Sequence, residues 1–96
     1  MLDLNKVRGI LTGLKPQLVK KYPIASIGLF GPIVRGDFNF NSNIDIIVEF
    51  SRPIGIQLVS LTDELEDELD WKVDLVSRAV IKPKYLADIE SEIIYI

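Results

Sequence analysis

The sequence contains no cysteine and no histidine. The first absence excludes disulfides and thiolate metal sites, so the chain needs no oxidising compartment. The second removes the commonest general base and the commonest zinc ligand, leaving chemistry to carboxylates, lysine, tyrosine or hydroxyls. Long apolar runs are missing too: none approaches the ~20 residues a membrane span needs, and no basic-then-apolar leader opens the chain. These absences imply a cytoplasmic protein with no membrane association. There is no internal repeat, linker or low-complexity tract. What is present is 96 residues, 48% hydrophobic and 26% charged, the composition of one soluble globular domain spanning residues 1–96.

Charge is unevenly spread within a net of −3. Residues 1–48 hold six Lys/Arg against Asp3, Asp37 and Asp45, whereas residues 49–96 hold five against eleven acids. No clustered basic face is evident, which argues against a direct duplex nucleic acid partner. The basic half can still meet an anionic small molecule or a partner protein.

Periodicity then gives the elements. Leu4, Val7, Leu11, Leu14 and Leu18 recur at spacings of three and four, which predicts a helix between Asp3, its N-cap, and Tyr22. Pro16 deletes a backbone donor inside it and predicts a kink or restart. Ile24–Phe30 reads as a buried strand entering a turn at Gly31, and Asn43–Phe50 as a second strand with Asn43, Asp45, Ile47 and Glu49 on one face. Ile56–Leu69 reads as a helix with Leu58, Leu61, Leu65 and Leu69 inward and an acidic outer face. Trp71–Ser77 reads as a third strand with Lys72, Asp74 and Val76 on one side. Pro83 opens a last helix to about Glu92, followed by the apolar Ile93–Ile96, an edge strand or a partner-facing surface. This order gives a small mixed β-sheet with helices packed against it, an α/β fold.

Three features can form a site: the Gly31-Pro32 turn, Asp45 on the second strand and Asp74 on the third. If those strands are neighbours, both acids project from one face onto a shared cation. Alternatively each sits near a strand end, solvated or paired with a lysine. Spacing alone leaves both open.

The stretch GPIVRGDFNFNSNIDIIVEF, Gly31–Phe50, resembles the signature of the minimal nucleotidyltransferases, small DNA polymerase beta-like domains paired with HEPN proteins. Their pattern is G-S, two residues, R-G, a loop of six, then D-x-D inside an apolar strand. Gly31, Arg35, Gly36, Ser42 and Asp45 fall in register. KVDLVS at Lys72–Ser77 resembles the family's third-acid strand, and Lys82-Pro83 the opening of its final helix, so the similarity spans nearly the whole chain.

The resemblance implies a nucleotidyltransferase (DNA polymerase beta-like) fold with a short helix after the first strand. It implies two-metal transfer in which two Mg²⁺ ions, held at the positions of Asn43, Asp45 and Asp74, bridge the phosphates of ATP. Asp45 and Asp74 are the implied catalytic residues, and Gly31, Pro32 and Arg35 the implied nucleotide-binding residues. The implied partner is a HEPN-family toxin, whose RNase is silenced when AMP is moved onto one of its tyrosines.

Two departures fall on that chemistry. Pro32 replaces serine, removing a hydroxyl and an amide donor, each bond to phosphate being worth about 1.5–3 kcal/mol. Proline suits the first helical position, so the turn itself survives. Asn43 replaces the first acid of D-x-D. Its amide oxygen can coordinate a metal but carries no charge, and a carboxylate–cation pair at about 4 Å is worth about 4 kcal/mol at an effective dielectric of about 20, before desolvation. Both changes weaken grip on one species, the metal-bound nucleotide. The expectation is an impaired transferase that acts mainly by binding its HEPN partner, with an active Mg²⁺-dependent transferase as the alternative. Arg35 is expected to brace the loop through Asp37, and Trp71 and Phe30 to be core residues.

Overall fold

Asp3 caps the first helix as its position predicts. Its carboxylate accepts a 2.9 Å hydrogen bond from the Lys6 backbone N–H, and helix α1 runs Leu4–Lys21. The computed structural model describes residues 2–96. Of the kink or restart expected at Pro16, the restart is absent, since α1 continues through it. Both Pro16 and Thr12, whose carbonyl loses its donor, are exposed, so water can satisfy the freed group.

Strand β1 (Ile24–Phe30) ends at Gly31, and a four-residue helix α2 (Pro32–Arg35) follows. Strand β2 is Ile44–Phe50, helix α3 is Gln57–Leu69 and strand β3 is Val73–Ser77. The last two begin one and two residues later than periodicity predicts. A 3-10 turn at Arg78–Val80, not foreseen from the sequence, leads to helix α4 (Pro83–Glu90). That helix stops two residues short of Glu92, and the chain then turns into strand β4 (Ile94–Tyr95). The apolar end is therefore an edge strand.

The four strands lie in the order β3-β2-β1-β4. β1 is antiparallel to both β2 and β4, and β2 is parallel to β3, which makes the sheet mixed. α3 supplies the crossover that a parallel pair requires. Alternation sorts the side chains into two layers. Ile27, Leu29, Ile44, Ile46, Val48 and Val73 meet Val7, Leu11, Leu14 and Leu18 of α1 and Leu61, Leu65 and Leu69 of α3 in the main core. On the opposite face Phe30 and Ile47 pack with Ile89 of α4 in a smaller cluster. Phe30 is thus a core residue, as expected.

Candidate active site

The site begins where β1 stops. Gly31 is buried, with φ 78 and ψ −157, a backbone conformation that a side chain disfavours. A Cβ on Gly31 would also collide with the Asp45 carboxyl, which lies against this residue. Phe30 pairs with Asp45 across β1 and β2, which brings the turn and the acid together. Pro32 takes the first position of α2, as its fixed φ favours. The backbone N–H groups of Val34 and Arg35 both donate to the Gly31 carbonyl at 3.0 Å, and Gly36 closes the helix in the left-handed region at φ 96.

β2 and β3 are neighbours, and Asp45 faces Asp74 in parallel register. Opposite residues of a parallel pair point to the same side of the sheet, so the two acids project together. Asp45 is half-buried and Asp74 exposed. Burial, then the neighbouring Asp74 carboxylate, push the Asp45 carboxyl up to about 6, while Arg35 lowers it and Glu92 raises it further. A half-buried acid held against a second acid is what a cation would relieve.

Asn43 lies one residue before β2, exposed, and borders an open hollow of about 410 Å³ with Phe40, Asn41, Ser42, Trp71 and Lys72. Trp71 is only half-buried. Its Nε1–H donates to the Ser42 carbonyl at 2.8 Å, and its ring stacks on the 80% exposed Phe40 at 6.4 Å between centroids. This hydrogen bond ties the end of the six-residue loop to the segment that leads into β3.

Arg35 braces the turn, but less through Asp37 than through Glu92. The Arg35–Asp37 contact is 3.8 Å, whereas Arg35 Nη1 reaches Glu92 Oε2 at 3.1 Å. Glu92 also accepts from the Gly31 backbone N–H at 3.1 Å. Sequence reading missed Glu92. It is one of several C-terminal acids, and nothing in its spacing shows that β4 returns it to the end of β1.

Two adjacent carboxylates fit one divalent ion of the magnesium type, which is bound through one or two carboxylates plus substrate phosphates. No group of three or more acidic, histidine or cysteine side chains suited to a metal occurs among the described residues. The second ion of a pair would therefore depend on the uncharged carboxamide of Asn43. No helix of the described residues is long and apolar enough to cross a membrane.

With a glycine turn beside paired strand acids on a small mixed sheet, the chain belongs to the nucleotidyltransferase domain family, whose profile matches residues 11–96. It is 33% identical over 97 residues to the protein adenylyltransferase MntA of Thermococcus cleftensis, covering 100% of this chain and 98% of the relative. It is 36% identical over 98 residues, the full length of both, to a Methanocaldococcus jannaschii protein provisionally named a protein adenylyltransferase. Among solved structures, a minimal nucleotidyltransferase superposes with a TM-score of 0.82 at 24% identity, over 97% of this chain and 95% of the other. A chain of a toxin–antitoxin crystallised with AMP-PNP gives 0.70 at 26% identity, over 98% and 72%. A chain from the complex of a tri-AMPylated HEPN toxin of Shewanella oneidensis with its MNT antitoxin shares the fold, with a TM-score of 0.69 at 22% identity over 93% and 70%.

Proposed function

We propose that this chain is the nucleotidyltransferase-fold antitoxin of a HEPN toxin–antitoxin pair in the cytoplasm. It works mainly by binding its HEPN partner, and its own transfer of AMP from ATP is impaired. The observation that carries this reading is Asn43, an exposed carboxamide at the head of β2 where the family's pattern has its first metal-binding acid. Pro32 acts in the same direction by withdrawing a donor from the phosphate turn. The relatives named protein adenylyltransferase, and the toxin–antitoxin complexes that share the fold, support the partner class.

The assay is ATP-dependent mass gain on the cognate HEPN protein, measured with this chain and with P32S/N43D. The expected result is tight partner binding with no mass gain from the unaltered chain, and additions of one AMP mass from the double variant. Modification by the unaltered chain at a rate typical of an enzyme would refute the proposal.

A second reading, a slow but working transferase, is favoured by one observation: Asp45 and Asp74 remain side by side. They would hold one Mg²⁺, whose charge would stabilise the phosphate oxygens, and Arg35 would face the nucleotide. Stoichiometric partner modification that disappears in D45A would establish this reading over the first.

A further inference from the structure

Two donors at the turn, the Gly31 N–H and Arg35 Nη1, are already engaged by a carboxylate. Glu92 lies between α4 and β4, and because β4 runs antiparallel beside β1, its side chain reaches the point where β1 ends. One carboxylate oxygen accepts from the Gly31 N–H at 3.1 Å and from Arg35 Nη1 at 3.1 Å, and the other accepts from Arg35 Nη1 at 3.3 Å. The Glu92 side chain is 21% exposed, against 51% for Arg35. The segment that carries it is pinned on both sides. Ahead of it, Glu90 accepts from Arg78 at 2.7 Å; behind it, the Ile96 N–H donates to Ile27 at 2.9 Å and Lys15 Nζ donates to the Ile96 carbonyl at 2.7 Å.

We infer that Glu92 is an internal anion seated in the cradle made by the Gly31 N–H and the Arg35 guanidinium, and that a nucleotide phosphate binds there only by displacing it. The inference rests on the proposed nucleotide-phosphate role of the Gly31–Arg35 turn. A carboxylate oxygen and a phosphate oxygen seek the same donors at the same distances, through the same charge-assisted hydrogen bonds. The single Gly31 N–H cannot serve both anions at full strength, Arg35 Nη1 is already shared with Glu92, and Pro32 supplies no neighbouring N–H to relieve the competition. Displacement needs no unfolding: rotating the Glu92 side chain empties the cradle and leaves the β1–β4 pairing in place. Glu92 is then a specificity-determining residue, setting how strong an anion must be to enter.

The competing role, a plain brace for the turn, makes the opposite forecast. Removing a brace loosens the cradle and weakens anion binding, whereas removing an occupying anion strengthens it. The test is calorimetric titration of the full chain and of E92Q and E92A with inorganic tripolyphosphate and with Mg-ATP. Glutamine keeps the shape and can still accept from the Gly31 N–H, but has lost the charge. Both variants are expected to bind tripolyphosphate at least about tenfold more tightly than the parent, a difference of about 1.4 kcal/mol, with the gain lost in R35A/E92Q. Equal or weaker binding by both single variants overturns the inference. A second readout needs no variant: in the unaltered chain, saturating tripolyphosphate must move the Gly31 amide resonance, and an unmoved resonance also overturns it. Neither experiment uses the HEPN partner. A parent that holds a HEPN partner while E92Q gains nothing defeats this inference alone, and the converse pair of results defeats the antitoxin reading alone.

Discussion

Replacing Asp45 by asparagine should make the protein more stable at neutral pH, although it removes a site residue. The Asp45 carboxyl is pushed up to about 6 from an ordinary value of 3.8 by burial and by the adjacent Asp74. The native state therefore binds this proton more tightly than the unfolded chain does. The penalty for ionising it is absent below about pH 4, grows as pH rises through 6 and is complete above that. A gap of about two pH units corresponds to about 3 kcal/mol, and partial solvation of a half-buried group reduces this to about 1–2 kcal/mol. Asparagine imitates the protonated acid in shape and carries no charge to repel Asp74. At pH 8 without divalent ions, D45N should thus be more stable by about 1–2 kcal/mol, or about 4–16 °C in melting midpoint for a domain of this size. At pH 4 the two proteins should coincide. Urea unfolding of both proteins from pH 4 to 8 measures the difference directly. If D45N is no more stable than the parent at pH 8, or if the difference does not change with pH, Asp45 is not a strained acid and the electrostatic account of the site fails.

Three shorter predictions follow from the same geometry. Magnesium at millimolar concentration should raise the melting midpoint of the parent by relieving the Asp45–Asp74 repulsion and leave D45N/D74N unmoved, as differential scanning fluorimetry would report. G31A should cost about 2–4 kcal/mol in urea unfolding, because its Cβ meets both a left-handed φ and the Asp45 carboxyl. W71F should lose about 1 kcal/mol through the broken 2.8 Å bond to the Ser42 carbonyl, and limited proteolysis should then cut the 37–42 loop faster.

Much of this architecture was legible because its signals are local. Spacings of three and four at Val7, Leu11, Leu14 and Leu18 mark a helix whichever sheet it meets, and all four are buried. The strand assignments hold because alternation is a property of each segment alone. The adjacency of Asp45 and Asp74 is not local: it required β2 and β3 to be neighbours in one particular register, and only the family resemblance implied that. The helix does not restart at Pro16 for a similar reason, since whether a proline ends a helix depends on which side of it faces water. Glu92 was illegible altogether. Its contacts with Gly31 and Arg35 span 61 and 57 residues of sequence, and they exist only because two residues of β4 pair with β1.

The large core and the candidate site occupy opposite faces of the sheet, so residues of the site can change while the fold stays. The large core lies on the α1 and α3 side and draws on none of the residues at positions 31, 32, 43, 45 and 74. On the other face, the Asp45–Asp74 pair that this chain keeps is expected to cost native stability at neutral pH, a cost that bound metal would repay. An aspartate at position 43 would have placed a third like charge on that face; asparagine is uncharged and exposed, so its effect on folding is small. Pro32 likewise sits where helix geometry accepts it. Substitutions that would abolish a catalyst are therefore nearly silent for the scaffold. On the proposed antitoxin reading, the core and the β1–β2–β3 register would be kept while positions 32 and 43 are free to change.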